Sequence, residues 1–297
     1  MIDNHEMEIM AMDLVPIVPF NETILSIAIG QRYDVVFEAT ESTGNYWMRA
    51  IPQSACSDNS MADNIKGIVR YDSTSTDDPT TSEYSYTDSC KDMDSSLLVP
   101  YLSLNASVGN LEDDEGVTVG KNTDNMFRWK MNSESFVVEW DDPTLLKVYN
   151  DNDTFTTQEH VVTIGTANEW TYFVIETTLA VPHPIHLHGH DFYVLAQGSG
   201  TWADADNVTT LTNPPRRDVA MLPSSGYLVI GFPADNPGIW LMHCHIGWHT
   251  SEGFALQIAE RWDDIASLVD YNTLESTCSA WDSYINADDI VQDDSGV

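Results

Sequence analysis

The chain has 297 residues, 42% apolar and 20% charged, which is enough for two domains with a sizeable core. Its 47 acidic residues against 12 lysines and arginines give a formal charge of -35, a surface that serves solubility and repels nucleic-acid backbones and anionic membranes. No apolar run reaches the roughly 18 residues a membrane helix needs, so neither nucleic acid nor membrane is expected as a partner.

The start, Met1 to Glu6, has neither the basic flank nor the apolar stretch of a secretory leader. Four Asn-x-Ser/Thr sequons, at Asn21, Asn105, Asn152 and Asn207, and the four cysteines nevertheless point to a secreted, extracellular glycoprotein, so the natural N-terminus is expected upstream of Met1. The apolar run from Ile24 to Ile29 reads as a strand ending at Gly30, and Tyr33 to Glu38 resumes a half-buried alternation. Short strands follow at Tyr46 to Arg49 and Gly67 to Tyr71. From Asp72 to Ser96 the composition turns to Ser, Thr, Asp and Pro, which marks a linker and divides the chain into domains at 1–97 and 98–297.

Strand signals return at Phe127 to Met131, Phe136 to Glu139, Trp170 to Glu176, Phe192 to Ala196, Tyr227 to Phe232 and Ile239 to Met242. Only the stretch after Trp262, with Ile265, Leu268, Val269, Trp281 and Ile285, has helical spacing. Many short strands at close intervals predict an all-β fold, a Greek-key sandwich or barrel with short C-terminal helices.

Seven of the nine histidines fall in two short stretches, His-Pro-Ile-His-Leu-His-Gly-His at 183–190 and His-Cys-His-Ile-Gly-Trp-His at 243–249. Side chains alternate along a strand, so His243 and His245 share a face and Cys244 takes the other. One strand can then serve two metal sites. A thiolate with two imidazoles and a weak or absent axial donor is the set that favours a blue-copper centre. Cys244 and His249 supply two of these ligands and His183 is the natural third, while Phe254 stands where an axial methionine would lie and cannot coordinate. His186 and His188 share a parity that suits a second metal face. Zinc is the bland alternative, but it leaves one Cys flanked by two His unexplained.

These two stretches, the second continuing to Gly253 and Phe254, resemble the third and fourth copper motifs of multicopper oxidases. Gly30-Gln-Arg-Tyr-Asp-Val35, Asn45-Tyr-Trp-Met-Arg-Ala50 and Asn213-Pro-Pro-Arg-Arg-Asp-Val219 narrow the likeness to fungal laccases of the ascomycete type. The resemblance implies cupredoxin domains, the end of the second and all of the third. It implies copper at type 1 ligands His183, Cys244 and His249, a type 2 ligand in His186, and type 3 ligands in His188, His243 and His245. His190 would support them without coordinating. The implied reaction is one-electron oxidation of a phenol or aromatic amine, coupled to four-electron reduction of dioxygen to water. His249 with Trp248 would face the substrate. Leu179, Val181, Phe127 and Trp129 are further pocket candidates, with core packing as the alternative for each.

The family's two earlier histidine motifs are not in this chain, and His5 and His160 are isolated. Four of the eight cluster histidines are therefore expected from an N-terminal region outside it, and the chain alone is expected to be inactive toward dioxygen. The same resemblance pairs Cys56 with Cys90, a closed loop that stabilises by about 3–4 kcal/mol, and ties Cys278 to the outside region. The C-terminal Asp294-Ser-Gly-Val297 resembles a processed laccase terminus that enters the channel toward the cluster; a loose acidic tail is the alternative. Two other readings remain: a copper-binding electron-transfer module without oxidase activity, and an inert fragment.

Overall fold

The structure, a computed structural model, describes every residue except 63–64, 108–109, 206–208, 289 and 293. Near the N-terminus, β1 (Met7–Met12) lies between β2 (Val15–Glu22) and β3 (Tyr33–Val36) in an antiparallel sheet, and β4 (Asn45–Arg49) pairs with β5 (Lys66–Arg70). In β1 the buried Met7, Ile9 and Ala11 alternate with outward Glu8 and Met10. Met7 and Ile9 join Ile2, Met12, Ile17 and Leu98 in a core against which Phe20, Tyr33, Val35 and Met93 pack. Leu98 belongs to this first core, so the chain leaves it only after that residue.

The remaining strands are β6 (Asn110–Lys121), β7 (Phe127–Met131), β8 (Val161–Ile164), β9 (Trp170–Thr177), β10 (His183–Leu187), β11 (Phe192–Ser199), β12 (Arg216–Arg217), β13 (Val219–Leu222), β14 (Gly226–Pro233), β15 (Gly238–Cys244) and β16 (Ala255–Glu260). They form a five-stranded sheet, β13-β10-β15-β16-β8, and a six-stranded sheet, β12-β11-β14-β9-β6-β7. The two sheets face each other across one core. Ile185, Leu187, Met242, Leu256 and Ile258 of the first sheet meet Phe173, Ile175, Phe192, Leu228, Ile230 and Phe232 of the second. All six residues of β16 are buried, as expected for a strand paired on both edges and covered on both faces. The sandwich expected from sequence is therefore present.

Four α-helices lie among the described residues: α1 (Thr144–Tyr149), α2 (Gly247–Ser251), α3 (Trp262–Ile265) and α4 (Tyr271–Asp288). The Asp270 carboxylate accepts the Asn272 N–H and the Thr273 hydroxyl at the start of α4, so an orphan donor of the first turn is satisfied.

Two expected strands are not formed. Ile24 to Ile29 lies outside any ladder: Ser26 N–H approaches Met93 Sδ, its hydroxyl donates to Lys91 O, and Ala28 N–H donates to Gln31 Oε1. The backbone is satisfied by the linker and by its own turn instead of a neighbouring strand. Phe136 to Glu139 is also outside any ladder, because its N–H groups reach three different segments. Phe136 donates to Gly253 O, Val137 to Gln158 O and Val138 to Ser295 O.

Cys56 and Cys90 are bonded, with Cα atoms 5.0 Å apart. Cys244 and Cys278 carry free thiols, both buried. Asn21, Asn105 and Asn152 are exposed, and Asn207 lies outside the described residues. Among the described residues no helix is long and apolar enough to cross a membrane. The C-terminal tail is docked: buried Ser295 donates its N–H to Ser251 O and its hydroxyl to Thr250 O, and Gly296 O accepts the Trp140 indole N–H.

Candidate metal centre

Strand β15 ends at Cys244, and a short loop with α2 returns the chain over that residue. Cys244 N–H donates to Phe254 O at 3.1 Å and Phe254 N–H to His249 O at 2.9 Å, while the Thr250 hydroxyl donates to Cys244 O. The closure depends on Gly253, at φ +102, where a Cβ would collide with Ser135 Oγ and press on Phe136 N. Antiparallel pairing sets Ile185 of β10 opposite Cys244, and His183 lies two residues along on the same face.

As a result His183, Cys244 and His249 converge. The Cys244 sulfur is 3.9 Å from His183 Nδ1 and 3.7 Å from His249 Nδ1. His183, Cys244 and Phe254 are all 0% exposed. Phe254 stands edge-on to the His183 ring, centroids 5.1 Å apart, so the fourth side of the group is hydrocarbon. Trp129 completes the wall, 4.1 Å from the His249 ring and 4.9 Å from that of His183.

Burial fixes the protonation of this set. It depresses His183 to about 3, with neighbouring His249 adding to the effect, and it also lowers His249. Both rings are therefore neutral donors near neutral pH. Burial pushes the Cys244 thiol up to about 12, so the thiolate forms there only with a cation to balance it. His183 Nε2 has no hydrogen-bond partner. Soft sulfur with two imidazoles in a dry pocket fits copper.

On the opposite face His186, His188, His243 and His245 gather. His188 Nε2 and His243 Nε2 are 3.2 Å apart, and the His186 ring is 4.9 to 5.6 Å from the other three by centroid. A carbonyl can only accept, so His186 Nδ1–H donates to Asp218 O (2.7 Å) and His243 Nδ1–H to Cys244 O (2.8 Å). Both rings therefore turn a bare Nε2 toward the group. The lone pair on His243 Nε2 facing His188 requires a proton or a metal between them. Burial lowers His243 to about 4 and also lowers His188, with neighbouring imidazoles adding to the effect. Strand β15 stops at Cys244, so His245 stands just beyond it. It keeps the face of His243, the two rings stacking at 5.7 Å, because its N–H donates to Pro184 O.

His190 is held apart from both sets. Its Nδ1–H donates to His188 O, and its Nε2 lies 2.8 Å from the carboxylate of Glu260, which is 0% exposed. Burial would lower its pKa, but Glu260 and the His188 carbonyl outweigh burial and raise it. His5 is structural: its Nδ1–H donates to Asp3 O and its Nε2 accepts the Tyr71 hydroxyl. Of the pocket candidates, Trp248 is 79% exposed, Phe127 54% and Val181 42%, while Leu179 packs against the main core and Trp129 is only 6% exposed.

Several contributors were not legible as such in the sequence. Glu260 looked like any acid at a strand end, and Thr250 like a small helix residue. Asp218 and Gly30 stood inside quoted motifs without a role. Gly30 touches the His245 ring, and Asp218 holds His186 from across the sheet.

Two family profiles described as Multicopper oxidase match residues 1–74 and 117–264. Laccase-2 of Botryotinia fuckeliana is 45% identical over all of this chain, which spans 52% of that protein, and Laccase-1 of the same fungus is 44% identical, with 53% spanned. The crystal structure of laccase from Botrytis aclada superposes with a TM-score of 0.94 at 43% identity, covering 100% of this chain and 55% of that one. The chain thus spans about half the length of the relatives it matches, and its sandwich is a cupredoxin fold. On the strength of both profiles and of these relatives, the chain belongs to the multicopper oxidase family.

Proposed function

We propose that this chain is the C-terminal part of a secreted laccase-type oxidase, a benzenediol:oxygen oxidoreductase. In this reading the chain through Leu98, one residue past the boundary expected from composition, closes the second cupredoxin domain and the rest forms the third. The observation that carries it is one strand end serving two donor sets. Cys244 joins His183 and His249 on one face, and its chain neighbours His243 and His245 join His186 and His188 on the other.

Copper held by these residues would supply one-electron acceptance from a phenol or aromatic amine and reduction of dioxygen to water. His183, Cys244 and His249 would hold the type 1 ion, His186 the type 2 ion, and His188, His243 and His245 the type 3 pair. Phe254 and Trp129 keep water from the Cys244 sulfur. Of the set built on Cys244, half-buried His249, beside exposed Trp248, is the ligand nearest to solvent and so to a donor molecule. The Cys244 carbonyl accepting from His243 Nδ1 joins the two sets by a hydrogen bond as well as by the main chain.

The second set offers four imidazoles, half of what a three-copper site requires in this family. The other four would come from a region outside this chain, in keeping with relatives about twice its length. An oxygen electrode tests the reading. With a phenolic donor, residues 1–297 joined to that region should consume oxygen and residues 1–297 alone should not. Sustained oxygen uptake by the shorter chain would sink the half-site reading.

A further inference from the structure

We infer that the turn Gly30–Arg32, carried by the N-terminal three-stranded unit, positions His186 and His245, two of the four imidazoles of the open donor set. The inference rests on the copper reading above.

Two contacts from one turn support it. The Arg32 guanidinium grips the Asp218 carboxylate with both arms, at 2.5 and 2.6 Å, and also donates to Gly30 O at 3.0 Å. Asp218 is the residue whose carbonyl takes the His186 Nδ1 proton, and its carboxylate lies 3.8 Å from the same nitrogen. The fork therefore fixes the peptide that sets the tautomer and tilt of His186. On the other side Gly30, at φ +86, lies against the His245 ring, where a Cβ would come within 2.5 Å of Cδ2. The His245 ring is thus held between this turn and the backbone bond to Pro184 O.

A half-exposed ion pair is ordinarily weak. This one is bidentate and anchored from behind. Buried Asp13 accepts the Arg32 N–H at 2.8 Å with one oxygen and the Arg217 Nε–H at 2.9 Å with the other, and Arg217 is 2% exposed. The N-terminal unit is thereby joined to the metal face by a line of charges, Arg217–Asp13–Arg32–Asp218, ending on an imidazole.

The test uses residues 1–297 and has two readouts. Ring-nitrogen NMR of the metal-free chain, in buffer where histidines are neutral, reports the tautomer of His186 and the environment of His245. Titration with cupric ion, read by EPR for imidazole-only copper and by the visible band for thiolate-bound copper, reports each set separately. Arg32→Ala should blur the single His186 tautomer and weaken imidazole-only copper by about 10-fold to 100-fold, the usual cost of losing a partner that orients a ligand. Binding at Cys244 should be unchanged. Arg32→Lys should restore the His186 signal only in part, since lysine has charge without a fork. Gly30→Ala should shift His245 and spare His186. If Arg32→Ala fails to fold, Arg32→Lys and Asp218→Asn carry the same comparison. An unchanged His186 tautomer in these variants, or equal weakening at both sets, would overturn the inference and leave the turn a strut between units. A parent chain with no blue band would instead sink the copper reading, and the tautomer result would still stand.

Discussion

The two donor sets share a strand end and differ in almost everything else. The set of His183, Cys244 and His249 is closed: its three ligands come from β10, the end of β15 and α2, all in one sandwich, and Phe254 and Trp129 seal it. The set of His186, His188, His243 and His245 is open, with His188 exposed and its restraints coming partly from the N-terminal unit through Gly30 and Arg32. Local folding can finish the first set. In the proposed reading the second would be completed by surfaces outside this chain.

The largest effect that would sharpen this contrast comes from Cys244→Ser. It should abolish the blue band of the copper-loaded chain, because that absorption requires the copper–thiolate bond. The imidazole-only copper on the other face should remain. A folded mutant that keeps the band would show that the closed set is not built on Cys244.

Acid should separate the sets from the rest of the molecule more gently. In the metal-free chain, His183 is held at about 3 and His243 at about 4, each against 6.5 when unfolded. These rings stay neutral in the fold and take up protons once unfolded. Stability is therefore full above about 6.5 and declines as pH falls toward 4 and then 3. Urea melts of the metal-free chain between neutral pH and pH 4 should show the midpoint falling. A midpoint that is flat or rises with acid would mean that one or both rings are solvated.

The smallest expected change is at residue 254. Phe254→Met would place a thioether beside the closed set and should lower the reduction potential, since a weak axial donor stabilises the oxidised ion. Redox titration of the two forms decides it, and an unchanged or raised potential would show that residue 254 does not face the metal.

Much of the closed set was legible because its chemistry is local. Cys244, His249 and Phe254 lie within eleven positions, and strand alternation assigns their faces. His183 lies farther off in sequence, before Pro184, a residue type that central strands seldom hold. In the structure β10 tolerates it: Pro184 lacks an N–H to offer, and its carbonyl takes the His245 N–H. The open set's supports could not be read, because they join residues far apart in the chain. Arg32 and Asp218 are 186 positions apart, and nothing local marks either as the other's partner. The same limit explains Ile24 to Ile29, where apolar content suggested a strand but the available neighbour was the linker at Lys91 and Met93. Met7 to Met12 was the reverse, a central strand whose six residues, half of them methionine, gave a weak signal.

A chain with one closed site and one open half-site should hold a definite number of coppers, and copper counting measures it. Residues 1–297 loaded with copper and dialysed against a chelator should retain about one equivalent, blue, bound through a thiolate and two imidazoles. Four retained equivalents, or one retained equivalent without the blue band, would contradict it.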